Sequence, residues 1–83
     1  MGFVDINTEE DFERYNWDVI EDTDTEFKAR IGFWTIAAED DEGTSIVEVF
    51  EDGWPIFEDG FYEPAETRGA ILALRQVLMR YTS

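Results

Sequence analysis

Carboxylates are the side chains of this sequence that come close enough together to act as groups. They cluster at Asp22, Asp24 and Glu26, at Asp40, Asp41 and Glu42, at Glu48, Glu51 and Asp52, and at Glu58 and Asp59. Such groups can hold a divalent cation, work as an acid and base pair, or stand in for phosphates. The calcium loop of helix-loop-helix proteins needs oxygen ligands at positions 1, 3 and 5, glycine at 6 and glutamate at 12. Setting Gly43 at position 6 puts Ala38 at 1 and Val49 at 12, and setting Gly53 or Gly60 there brings Phe50 or Phe57 to position 3. No complete ligand loop exists, so neither a specific metal nor any other cofactor is expected, and solvated carboxylate runs attract ions diffusely.

Acid-base chemistry fares no better. The chain has no histidine and no cysteine, which removes imidazole catalysis, thiol chemistry, disulfides and the usual zinc ligand sets together. A carboxylate pair needs a cleft that raises one pKa by burial, and 83 residues carrying a net charge of −15 offer no obvious one. The sequence does not read as an enzyme.

Phosphate imitation suits the spacing. Alternate residues of a strand recur about every 6.6 Å and helical turns about every 5.4 Å, close to the roughly 6 to 7 Å between phosphates along a nucleic-acid backbone. Asp40, Asp41, Glu42, Glu48, Glu51, Asp52, Glu58 and Asp59 are therefore the candidate partner-binding carboxylates. Trp34 and Trp54 are the candidate aromatic anchors, because a tryptophan ringed by carboxylates can stack on a partner's arginine. The other aromatic residues, Phe33, Phe50, Phe57 and Phe61 among them, are assigned to the core.

The charge is also unevenly spread. Twenty of the twenty-one acids lie in residues 1–63 against three cations, whereas the last twenty residues hold Glu66 against Arg68, Arg75 and Arg80. This asymmetry creates a field that attracts cationic surfaces. The expected partner is a basic nucleic-acid-binding protein, with no direct binding of nucleic acid itself.

Disorder is the first alternative for so acidic a chain. With 43% apolar and 16% aromatic residues, however, there is enough buryable area for a fold. The length is that of a single domain, 1–83. Residues 7–15 spell a short helix, capped by Asn7 or Thr8, with acids in its first turn and Phe12 and Tyr15 on one side. Residues 21–26 form a polar connector. Residues 27–38 alternate as one strand, although Trp34 and Ile36 interrupt the polar side, and residues 45–50 return as a second. Asp52-Gly53 turns the chain into a short third strand at 54–57, and Asp59-Gly60, in a repeat of the Phe-Glu-Asp-Gly-aromatic pattern, ends the sheet. Pro64 opens a last helix whose stripe is Ile71, Leu74, Leu78 and Tyr81, flanked by Ala70 and Val77. Arg68, Arg75 and Arg80, with Leu72 and Met79, fall on its other faces. The expectation is an α+β fold: a short N-terminal helix, a three-stranded antiparallel meander and a C-terminal amphipathic helix packed on the sheet.

In size, acidity, missing cysteine and helix-sheet-helix order the chain resembles the small phage-encoded inhibitors known as anti-restriction and anti-CRISPR DNA mimics. The resemblance implies a protein that stoichiometrically blocks the arginine and lysine rows of a nuclease or CRISPR effector, in the cytoplasm of the host cell. The competing reading is a small interaction domain from a halophilic or GC-rich organism, whose acidity is environmental; five of its six cations are arginine. Such a domain would be a monomer, or a homodimer through an apolar outer face of Trp34, Ile36, Ile46 and Phe50. No leader or membrane span is evident, so a cytoplasmic protein is expected.

Overall fold

The computed structural model describes residues 8–41 and 44–82. Its elements run α1 (Thr8–Glu13), β1 (Asp18–Asp22), β2 (Glu26–Ile31), β3 (Trp34–Asp41), β4 (Thr44–Glu51), β5 (Trp54–Phe61) and α2 (Pro64–Thr82). The strands form one antiparallel meander in the order β1-β2-β3-β4-β5, and α2 packs across β3, β4 and β5. The α+β class and the helix packed on the sheet stand; the sheet has five strands rather than three.

The two extra strands have separate causes. Residues 27–38 are two strands, because Gly32 takes a φ of 57° and closes a two-residue hairpin that pairs Ile31 with Trp34. The interruption by Trp34 and Ile36 is therefore a change of phase: the inward residues are Phe27, Ala29 and Ile31 before the turn and Trp34, Ile36 and Ala38 after it. The outer apolar face of Trp34, Ile36, Ile46 and Phe50 consequently does not exist as one surface. Ile36 is fully buried and Trp34 packs against the core on the covered face, whereas the alternation of β4 turns Ile46 and Phe50 to the other side.

The second addition is β1, part of which falls in the supposed polar connector. Its hairpin to β2 is an ordered turn. Thr23 N–H donates to the Glu26 carbonyl at 2.8 Å, and the Thr23 hydroxyl accepts from the amides of Glu26 and Thr25. The Asp40 amide then donates to the Thr25 carbonyl at 2.8 Å, tying the turn to β3. At the far end, Asp59-Gly60 is no turn: β5 runs through it, with Asp59 opposite Val47 and Gly60 opposite Ile46. β3 and β4 also run into the acidic segment 39–44 between the two expected strands, pairing out to Asp41 and Thr44. Asn7, Glu42 and Gly43 lie outside the described residues.

The covered face is held from one end. After α1 the chain closes in a Schellman pattern. Asn16 takes a left-handed φ of 69° and donates to the Glu13 carbonyl, and Trp17 N–H reaches back to the Phe12 carbonyl at 3.2 Å. This brings the Trp17 ring edge-on to Phe12, centroids 5.3 Å apart, and Phe12 in turn lies 5.0 Å from Phe27 on β2. All three rings are buried, with Ala29, Ile36, Ala38, Val47, Val49, Ile71 and Leu78 completing the core.

The side of α2 facing inward is turned from the expected stripe. Thr67, Ile71, Arg75 and Leu78 are buried, Leu72, Leu74 and Met79 pack beside them, and Tyr81 and Val77 are exposed. The cause is Arg75. Its guanidinium donates to the Asp11 carbonyl at 3.0 Å and lies over the Tyr15 ring at 4.4 Å and the Phe12 ring at 5.8 Å. Two turns earlier, Arg68 pairs with the Asp11 carboxylate at 2.7 Å. Two of the three helix cations therefore fasten α1 to the fold instead of being shown to solvent. The start of α2 is as expected, with Pro64 in the first turn and the amides of Glu66 and Thr67 donating to the Glu63 carbonyl.

Candidate functional site

Opposite the helices, the sheet leaves a second face uncovered. The register assigns it three rows across the strands. One holds Glu26, Glu39, Ile46 and Gly60; the next Glu21, Lys28, Ala37, Glu48 and Glu58; the third Asp18, Arg30, Thr35, Phe50 and Pro55. Neighbouring strands are about 4.8 Å apart and alternate residues about 6.6 Å apart, so the carboxylates sit on a lattice fixed by backbone hydrogen bonds.

Opposed charges on this face differ from pair to pair. Between β1 and β2, Asp18 lies opposite Arg30 and Glu21 opposite Lys28. Between β2 and β3, Glu26 faces Glu39, and between β4 and β5, Glu48 faces Glu58, so these two pairs are alike in charge. Directly opposed like charges destabilise a sheet by up to about 1 kcal/mol each. The Glu26 carboxyl is held above the usual glutamate range, first by a hydrogen bond with the Glu21 carboxyl and then by the negative charges of Glu21 and Glu39. A shallow depression of about 140 Å³ lies among Glu26, Lys28, Ala37, Glu39, Glu48 and Phe50.

A second concentration of candidate residues lies at the end of the sheet where two hairpins and the last turn of α2 converge. Trp34, Glu51 and Trp54 occupy one cross-strand row. Tyr81 stacks obliquely on Trp34, ring centroids 6.1 Å apart. Asp52 and Gly53 both take positive φ, 51° and 86°, which makes the β4–β5 connection a tight turn of the kind that suits Asp-Gly. The Asp52 amide donates to the Phe33 carbonyl at 2.8 Å, tying this turn to the tip of the β2–β3 hairpin. Phe33, Trp34, Glu51, Asp52 and Tyr81 line an open groove of about 400 Å³.

The candidate residues thus fall into separate groups. Glu48 and Glu58 share the open face. Trp34, Glu51, Asp52 and Trp54 gather at the hairpin end. Asp40 and Asp59 are exposed on the helix side of the sheet, in register with Ser45 and Val47, and the Asp59 carboxylate accepts from the Gly60 amide at 2.8 Å. Asp41 pairs with Thr44 at the end of β3, and Glu42 lies outside the described residues.

The sequence reading missed Asp18, Glu21, Glu26 and Glu39 on the open face, and Phe33 and Tyr81 at the groove. The first set falls outside the expected strands 27–38, 45–50 and 54–57, on β1 or toward the ends of β2 and β3; the second reads from the sequence as core. Phe33 is 71% exposed and Trp54 75%, and Phe57 is also exposed, whereas the buried aromatic rings are Phe12, Trp17 and Phe27. Among the described residues there is no cluster of three or more acids arranged to hold a metal ion, and no helix long and apolar enough to cross a membrane. Comparison with protein-family models, curated proteins and solved structures found no match to this chain.

Proposed function

We propose that this is a small acidic binding protein whose uncovered sheet face takes the place of nucleic acid on a basic protein surface, blocking a nuclease or CRISPR effector stoichiometrically and without catalysis. The observation carrying the reading is the two like-charge cross-strand pairings, Glu48 opposite Glu58 and Glu26 opposite Glu39, in neighbouring rows of an uncovered face. A sheet gains nothing in stability from such pairs. A partner with rows of arginine and lysine would relieve the repulsion and gain from the fixed spacing, as it does on a phosphate backbone. A site of action in the cytoplasm, where such effectors work, fits the same reading.

The test is competition. Labelled duplex bound to candidate nucleases and CRISPR effectors should be displaced by the protein near one-to-one stoichiometry, with affinity falling steeply as salt rises. The combined E39Q, E48Q and E58Q variant should lose displacement while remaining folded. Undiminished displacement by that variant would remove the open face from the mechanism.

A further inference from the structure

The groove at the hairpin end has a chemistry the acidic sheet face lacks. Its walls are aromatic: Phe33 and Tyr81 stand 71% and 73% exposed, and the half-buried Trp34 lies between β3 and Tyr81. Its polar lining is two consecutive carboxylates, Glu51 and Asp52, and among the described residues no cation lines it. Trp54, 75% exposed, stands across the strand pair from Glu51, so that this carboxylate lies in a row between two indoles. Three largely exposed aromatic side chains, Phe33, Trp54 and Tyr81, therefore gather where two hairpin tips and a helix terminus meet.

A neutral apolar occupant would strip water from Glu51 and Asp52 and give nothing back, which disfavours it. A compact ammonium would satisfy the charges but keeps its own hydration tightly. A guanidinium meets both demands: its flat, weakly hydrated faces stack on aromatic rings, and its fork of N–H donors matches carboxylate oxygens. The groove is also pre-set for such a guest. The Asp52 amide bonded to the Phe33 carbonyl at 2.8 Å fixes the two hairpin tips relative to each other, and the Trp34–Tyr81 contact fixes the third wall.

We infer that the Phe33, Trp34, Glu51, Asp52 and Tyr81 groove is a receptor for an arginine side chain presented by the partner protein, with Trp54 at its edge. This deepens the reading above, on which it rests for the partner's basic character, by naming the side chain that anchors the complex. An aromatic and arginine anchor in a fixed pocket, here at the hairpin end on the helix side of the sheet, is the arrangement in which a few residues dominate binding.

The experiment is a titration of the full chain with N-acetyl-arginine amide, N-acetyl-lysine amide and sodium chloride at matched ionic strength, following the indole N–H signals of Trp34 and Trp54 by NMR. The arginine probe should shift both signals saturably and bind at least about 5-fold more tightly than the lysine probe. E51Q/D52N should weaken that binding about 10-fold or more, and Tyr81→Leu should weaken it while leaving both carboxylates in place. Glutamine and asparagine keep the shape at two exposed positions, and asparagine tolerates the left-handed backbone of residue 52. Equal responses to the arginine and lysine probes, shifts reproduced by sodium chloride, or an unchanged titration in E51Q/D52N would each overturn the inference. Its failure is distinct from that of the proposed function: a protein that displaces duplex from a nuclease but ignores the arginine probe acts through its acidic face alone, and one that binds the probe but displaces no duplex has a guanidinium receptor for another kind of partner.

Discussion

The two ends of this sheet spend their aromatic and charged residues in opposite ways. Beside β1 and β2, Phe12, Trp17 and Phe27 are buried against one another, and Arg68 and Arg75 reach from α2 to hold α1 through the Asp11 carboxylate and carbonyl. At the other region, formed by the two hairpin tips, the last turn of α2 and edge strand β5, Phe33, Trp54, Ile56 and Tyr81 stay largely exposed, and so do the acids Glu51, Asp52, Glu58 and Asp59. Composition is similar at the two ends and environment is not. The first end closes the core. The second presents acids and rings to whatever approaches, which is why the functional proposals lie there.

The sharpest break of this contrast is Phe12→Ala. It removes the ring shared by Trp17, Phe27 and Arg75, and should lower unfolding free energy by about 3 to 5 kcal/mol in denaturant titration. Arg75→Ala should follow at about 2 to 4 kcal/mol, since it removes a buried charged hydrogen bond and two cation–ring contacts and frees α1 from α2. Protection of the α1 amides in hydrogen exchange should fall with it. If α1 stays equally protected, Arg75 is not its clamp.

On the open face the sign should reverse. Glu48→Gln or Glu58→Gln should stabilise the protein by about 0.2 to 1 kcal/mol, because each relieves a directly opposed like-charge pair. Lost stability in both variants would mean that these carboxylates have favourable contacts and that the repulsion argument is wrong.

Glu26 gives a related effect in pH. Its carboxyl is raised in the folded protein, so the folded state takes up a proton that the unfolded chain has not yet bound. Its penalty is fully present above the folded pKa and is relieved as pH falls through that value toward the ordinary glutamate range. Stability should therefore rise on mild acidification through this group, and E26Q should flatten that part of the profile.

The smallest stability effect belongs to the exposed rings. Trp54→Ala should change stability by no more than about 0.5 kcal/mol in thermal unfolding, while it weakens any complex that uses the hairpin end. A large loss of stability would make Trp54 part of the core and erase the difference between the two ends.

Much of this organisation was legible in the residues, and the misreadings have identifiable causes. Pro64 marked the start of the last helix, Asp52-Gly53 marked its turn, and the alternation of 45–50 gave β4 nearly whole. The missing strands had signals that period counting passed over. The inward phase shifts from Ile31 to Trp34, which is what a two-residue hairpin produces, and Gly32 supplies the required φ. Each edge strand carries a register shift that accommodates one exposed isoleucine, Ile20 in β1 and Ile56 in β5, and this breaks the alternation by which short strands are recognised. The second Asp-Gly read as a turn because its residues matched the first; pairing with β4 holds Gly60 in the strand. The burial of Arg75 had no local signal, because it depends on Asp11, Phe12 and Tyr15, some sixty residues earlier. For the candidate site, Glu48, Glu58, Trp34 and Trp54 were readable as residues, but their grouping required a register that local patterns do not fix.

The contacts among α1, β1, β2 and α2 should hold the fold without help from salt, leaving the dense charge of the open face free to serve binding. Thermal unfolding from dilute buffer to several molar potassium chloride tests it most directly. A cooperative transition is expected in dilute buffer, with a modest rise in midpoint as screening relieves the Glu48–Glu58 and Glu26–Glu39 pairs. A chain that is unfolded in dilute buffer and folds only at molar salt would contradict it, and would assign the acidity to the protein's environment.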